Sequence, residues 1–298
     1  MSRYIYGFFW SNDIEHFDFI YTYKDDVTQY KSDTKNINTI DVTKLSTIEL
    51  HNINVNSLYD KFCELPFTNI IINASRIGSI ENLNINKNIT KMIIIDSDIK
   101  NVKKLENMNV ENLTIINTKN IDIDEILVFK ELMELTFKSN TINFISNFEC
   151  LNNLKILNLS DNKIKDITNL GIIPNLCSLD LSHNDIDNID ILEKYKKLKY
   201  LYLNNNQIKN ISKIQNNLNI KFLNISYNNI DNIDIIQNFE ELEILNIINN
   251  PIFYLPDLMK LKHLDFDNLK VNWNNIKDMK GMKGFALMKN IIKTLINK

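Results

Sequence analysis

Side chains suited to acid–base or nucleophilic chemistry are few in this chain, and they are scattered. Its four histidines are His16, His51, His183 and His263, and its three cysteines are Cys63, Cys150 and Cys177. One pairing has the right chemistry. Asp161 and His183 lie 22 residues apart and occupy the same place in adjacent copies of a repeat, so strand spacing brings them to about 5 Å. A carboxylate beside an imidazole can tune a base. No nucleophile shares that position nearby, so a surface ion pair is the expectation. Cys177 directly follows an inward leucine and reads as a small buried hydrophobe. There is no Gly-rich phosphate loop in a chain with five glycines, and no HExxH, GxSxG or zinc-spaced Cys/His cluster. The expectation is therefore no catalytic residue, no metal and no cofactor.

The elements that would position any functional side chain are set by an internal repeat. LKILNLSDNKIKDI begins at Leu154, LCSLDLSHNDIDNI at Leu176 and LKYLYLNNNQIKNI at Leu198. IKFLNISYNNIDNI follows at Ile220 and LEILNIINNPIFYL at Leu242, each 22 residues after the last. LMELTFKSNTINFI begins at Leu132, and weaker copies begin at Val110, Ile89, Phe67 and Leu45. LKHLDFDNLKV, at Leu261, comes after a shortened interval of 19 and makes eleven units over residues 45–271. The L-x-x-L-x-L part alternates apolar and polar residues, as a strand with one buried face does. Further apolar residues follow the turn, such as Ile142, Ile145, Phe148 and Leu151, or Ile186, Ile189, Leu192 and Tyr195. One unit cannot close a core alone; stacked units bury these rows against each other.

An asparagine follows the strand at Asn140, Asn162, Asn184, Asn206, Asn228 and Asn250. Its amide both donates and accepts, so it can satisfy backbone groups where the chain leaves the strand. Ser75, Ser97 and Thr118 stand there in earlier units and replace only part of that bonding; Ile53 and Leu269, in the outermost units, replace none.

These units resemble the leucine-rich-repeat family in its 22-residue class, which includes intracellular regulators of protein phosphatase 1 and the repeat domains of bacterial internalins. The resemblance covers about three quarters of the chain. It implies an α/β solenoid: a horseshoe with a concave parallel β-sheet and short 3-10 or extended convex segments.

Residues 1–44 lie outside the repeat. YIYGFFW and FDFIYTY, separated by SND, read as a β-hairpin capping the first unit. Were it a docking element instead, Phe8, Trp10, Phe17 and Tyr21 would face a partner. Residues 272–298 read as a C-terminal helical cap, with Phe285, Met288, Ile292 and Leu295 at helical spacing. Its six lysines and one aspartate give a net charge of +5, which would also suit a membrane or an acidic partner. The N-terminus shows no signal-peptide core and no run is long enough to span a membrane. Three cysteines without an even framework favour a reducing compartment. The expected location is the cytoplasm. A net charge of −3 gives no general pull toward nucleic acid.

In this frame the residues flanking the two inner leucines of each strand face outward. Most are small or polar: Asn158, Ser160, Ser178, Asp180, Ser182, Asn224 and Ser226. Two apolar clusters break the pattern. Tyr200, Tyr202, Phe222 and Ile244 form one; Ile71, Ile93, Ile95 and Ile116 form the other. Alternate residues already fill the core, so the first cluster is the candidate protein-binding site. The expectation is an intracellular protein-interaction scaffold, a monomer holding an unknown protein ligand, with no nucleic acid or membrane partner. The alternatives implied by the resemblance are a phosphatase regulatory subunit and a secreted or surface adhesin.

Overall fold

A computed structural model of the chain describes residues 18–23, 26–33, 41–58 and 60–280. These form two compact units, one of residues 1–140 with 150–154, the other of residues 141–149 with 155–298.

In the first unit, β1 (Asp18–Tyr23) and β2 (Asp26–Asp33) make an antiparallel hairpin, and β1 also pairs antiparallel with β3 (Leu45–His51). The hairpin therefore uses FDFIYTY with the segment after it. YIYGFFW, with Phe8, Trp10 and Phe17, lies outside the described residues. From β3 the sheet continues in parallel through β5 (Asn69–Asn73), β7 (Lys91–Ile95), β9 (Asn112–Ile116) and β10 (Glu134–Lys138). The register follows the repeat: Ile48, Ile70, Met92, Leu113 and Leu135 stand side by side. All five are buried, as one-faced alternation requires. A second small parallel sheet forms just after the corners, from β4 (Asn54–Val55), β6 (Arg76–Ile77) and β8 (Asp98–Ile99).

The second unit repeats the scheme with shorter strands: β11 (Ile156–Asn158), β12 (Ser178–Asp180), β13 (Tyr200–Tyr202), β14 (Phe222–Asn224) and β15 (Ile244–Asn246), all parallel. Single 3-10 turns return the chain, among them Thr168–Leu170, Asp190–Lys194, Ser212–Asn216 and Asp234–Asn238. Each begins two residues after an Asp or Asn whose side chain accepts the backbone N–H, as Asn188 does from Asp190 and Asn210 from Ser212. Twenty-two residues leave room for one such turn and no convex α-helix. The only α-helix among the described residues is the single turn Asp60–Cys63 in the first unit.

The asparagine ladder is present in full. Asn184 donates from Nδ2 to the carbonyls of Leu181 and Ser182 in its own corner, at 3.1 and 3.2 Å, and to Leu159 in the preceding unit at 3.0 Å. Its Oδ1 accepts from the Ile164 N–H at 3.0 Å. Asn206, Asn228 and Asn250 repeat this pattern. In the first unit Ser97 donates only to Ile95 and accepts only from the Ser75 N–H. Serine thus keeps the link between units and loses the extra carbonyl contacts. The residue before the asparagine is left-handed at every corner of the second unit: Asp161, His183, Asn205, Tyr227 and Asn249 have φ near +55°. Asn, Asp and His tolerate this region best.

Two positions depart from the repeat frame. Phe266 should point inward, yet it is 43% exposed. The Asp265 carboxylate gathers the N–H groups of Asp267 and Asn268 into a loop, and Lys270 pairs with Asn246 in its place. Ile247 donates to Lys270, whereas Ile225 donates to Asn246, so the chain has slipped by two residues. The shortened last unit has no length left for a regular strand. Of residues 272–298, expected as a helix, 272–280 are described. They form a turn and β17 (Asp278–Met279), which pairs with β16 (Tyr254–Leu255) because Lys277 and Lys280 donate to the backbone of Phe253 and Leu255. The remainder, with Phe285, Met288, Ile292 and Leu295, lies outside the described residues. No helix among the described residues is long and apolar enough to cross a membrane.

Asn206→Ala leaves the buried Ile186 N–H without an acceptor and removes one donor each from the Leu181 and Leu203 carbonyls, and is expected to cost about 1–3 kcal/mol in urea unfolding. Asn206→Ser is expected to cost less, because a serine preserves the link between units. The reverse order would show that the ladder does not act through these bonds.

Candidate functional site

Tyr200, Tyr202, Phe222 and Ile244 all stand on the outward face of the second unit. Tyr200 pairs with Phe222 and Phe222 with Ile244, in one row across β13, β14 and β15. Their strand neighbours Leu201, Leu203, Leu223 and Leu245 are fully buried, so the alternation that builds the core pushes the four outward. Tyr200 is 42% exposed; the other three are half-buried against each other. The rings of Tyr202 and Phe222 lie 4.6 Å apart, tilted by 34°, across the diagonal of the pair. Partial burial, with Asp180 and Tyr200 nearby, raises the Tyr202 phenol above its ordinary range and keeps it neutral.

Polar groups border the row. Asn224 donates to Asn204 at 2.9 Å and accepts from Ser226. Asp180 accepts from the Ser182 hydroxyl at 2.6 Å. Two further apolar side chains, missed in the sequence reading, belong to the same surface. Ile156 occupies the row of Tyr200 on β11, separated by Ser178, and is 36% exposed. Tyr227 sits at the corner after β14 and is 49% exposed. Both share the frame that singled out Tyr200, which was the available signal. In the first unit, Ile71, Ile93, Ile95 and Ile116 also face outward in neighbouring strands and are half-buried.

The catalytic candidates resolve differently. His183 Nδ1 lies 3.8 Å from Asp161, and its Nε2 meets the Asn205 amide at 3.3 Å. The second ring nitrogen thus faces an amide and not a hydroxyl or thiol. Cys177 is half-buried beside the sheet, not in the core, and donates through Sγ to the Lys155 carbonyl. It occupies the outward-leaning position before the strand, where its neighbours are lysines. Among the described residues no group of three His, Cys, Asp or Glu side chains is placed to hold a metal ion.

Residues 174–216 match the sequence profile of leucine-rich repeats, in two copies. The strands β12 and β13 and the two asparagine corners fall inside that match. This stretch of the chain is a pair of leucine-rich repeats. No curated protein matches the chain by sequence. Among solved structures, the chain resembles an internalin from Listeria monocytogenes at 19% identity, with a TM-score of 0.60 over 87% of this chain and 92% of that one. It resembles a leucine-rich-repeat protein of Leptospira interrogans at 19% identity, with a TM-score of 0.59 over 74% of this chain and 64% of that one. TLR13, solved in a complex with ssRNA13, is similar at 18% identity, with a TM-score of 0.56 over 76% of this chain and 43% of that one. These likenesses concern the fold. Function in such folds lives in side chains placed on the frame.

The thiols provide a check on the packing. Cys63 is fully buried, and desolvation followed by Asp60 and Glu64 pushes its thiol far above the ordinary range. Cys150 is exposed. Alkylation followed by peptide mapping should label Cys150 in the native protein and Cys63 only after unfolding; equal native rates would contradict the packing of the first unit.

Proposed function

We propose that the chain is an intracellular protein-interaction scaffold, acting as a monomer, that holds a protein ligand on the outward face of β13, β14 and β15. The observation that carries this reading is the row Tyr200, Phe222 and Ile244, with Tyr202 beside it, on the outward face where neighbouring strands carry Ser178, Asp180 and Asn158. Core packing does not require aromatic groups there, since the inward leucines are already buried. Clustered aromatic side chains at low conformational cost are what protein interfaces use as anchors. A rigid backbone supports them: the flanking corners are held by buried asparagine bonds, so little order has to be gained on binding. Three free thiols suit a reducing compartment, which supports an intracellular setting. His183 engaged by Asp161 and Asn205 gives no support to a catalytic reading.

Replacing Tyr200, Tyr202 and Phe222 together with Ser removes the anchors and leaves every inward residue in place. Affinity capture from the native host should then lose the partner, by about two orders of magnitude if each anchor contributes about 1 kcal/mol. Circular dichroism and the unfolding midpoint should stay close to those of the parent chain. Undiminished capture by a folded triple variant would remove this face as the site.

A further inference from the structure

The candidate face has direction as well as composition. Beside the row Tyr200, Phe222 and Ile244, one residue earlier on each unit, runs a second row: Lys155, Cys177, Lys199, Lys221 and Glu243. The members of this row reach their neighbours, since Lys221 Nζ lies 2.7 Å from Glu243. The rows also meet each other. The Glu243 hydrogen bond and charge hold the Lys221 ammonium above its ordinary range, and Glu241 and Tyr200 add to the effect. Lys221 is therefore neutralised locally. Lys199 is exposed beside Tyr200 and has no acidic partner among the described residues. On the far side of the aromatic row lie Asp180 and the amides of Asn204, Asn224 and Asn246. The surface is thus a line of apolar groups with one ammonium, Lys199, left without an acidic partner on its flank.

We propose that this double row docks an amphipathic helix of a protein partner. The helix lies across the strands, sets one apolar side chain per turn against Tyr200, Phe222 and Ile244, and points a carboxylate toward Lys199. The assignment rests on the reading of the face as a protein-binding site and names the partner's chemistry. Spacing selects a helix. Successive strands stand about 4.8 Å apart and successive helical turns about 5.4 Å, so two steps leave a mismatch of about 1 Å. An extended segment advances about 6.7 Å for each residue on one side and is out of step by about 4 Å over the same distance. Charge selects the flank, because carboxylates placed over Lys199 are attracted and ammonium groups are repelled. A single-stranded nucleic acid is disfavoured. Tyr202 and Phe222 already cover part of each other's rings, which leaves less aromatic face for bases, and a chain of net charge −3 repels a polyanion.

The test selects a random peptide library, displayed on phage, against the whole chain, with counter-selection against the folded Tyr200→Ser, Tyr202→Ser, Phe222→Ser variant. Selected peptides are then made synthetically and titrated by fluorescence anisotropy, with a labelled oligothymidylate as the nucleic-acid probe. The expected result is enrichment of peptides with apolar residues at i, i+4 and i+7 and acidic residues on one flank, gaining helical circular dichroism on binding. Lys199→Glu should weaken them about tenfold, and the same peptides with lysine for each acid should regain affinity for that variant. The proposal is overturned by no enrichment over the triple variant, by enriched peptides lacking an acidic flank, by indifference to Lys199→Glu, or by oligothymidylate displacing them. If the triple variant still captures its partner from the host, the protein-binding reading itself fails. If it loses capture while the selected peptides show no acidic flank, only the helix assignment fails.

Discussion

The corners at Asn162, Asn184, Asn206, Asn228 and Asn250 are each held by a buried side-chain amide that serves two units at once. Asn184 closes its own turn through Leu181 and Ser182, then reaches back to Leu159 and Ile164. Burying an amide is costly unless its donors and acceptor are paired, and here they are. The bond set fixes the distance and register between neighbouring units. Everything placed on the frame, inward leucine or outward tyrosine, inherits that spacing. The fold is accordingly a sum of local contacts between neighbours, without a central core that all elements share.

That dependence explains which features were legible in the residues. The strand positions, the inward leucines and the asparagine corners follow from a period of 22, and Leu179, Leu201 and Leu223 lie side by side as the frame requires. The outward placement of Tyr200, Tyr202, Phe222 and Ile244 follows from the same alternation. What the period could not supply is whatever breaks it. The two-residue slip that exposes Phe266 is produced by the Asp265 loop, a local set of hydrogen bonds with no counterpart in other units. The strand Asp278–Met279 pairs with residues more than twenty positions earlier, and Lys277 stacks over the Phe253 ring at 4.9 Å. Helical spacing of apolar residues further along gave no sign of either.

The returning side of the repeat was also less readable, because polar side chains are buried there in unlike ways. Tyr195 fills an apolar position, yet its hydroxyl donates to the Gly171 carbonyl at 2.7 Å. Asn217 occupies the corresponding place in the next unit, fully buried, and donates to the carbonyls of Leu192 and Tyr195. Phe239 follows, purely apolar. Three successive units thus solve one position with a phenol, an amide and a ring. A frame read by hydropathy alone ranks the middle one as a defect, whereas its amide donates a further hydrogen bond to two backbone carbonyls of the preceding unit.

The near-identical corners at Asn184, Asn206 and Asn228 make the units that carry them interchangeable. Duplicating or deleting one 22-residue block within this stretch reconnects equivalent donors to equivalent acceptors. The same change beyond Asp265 would meet a chain already out of step. Growth and loss by recombination are therefore open to the interior of the array and closed at its last turn. Each such event slides the lysines relative to the aromatic groups by whole strand widths, so the surface can be re-spaced without any new way of folding.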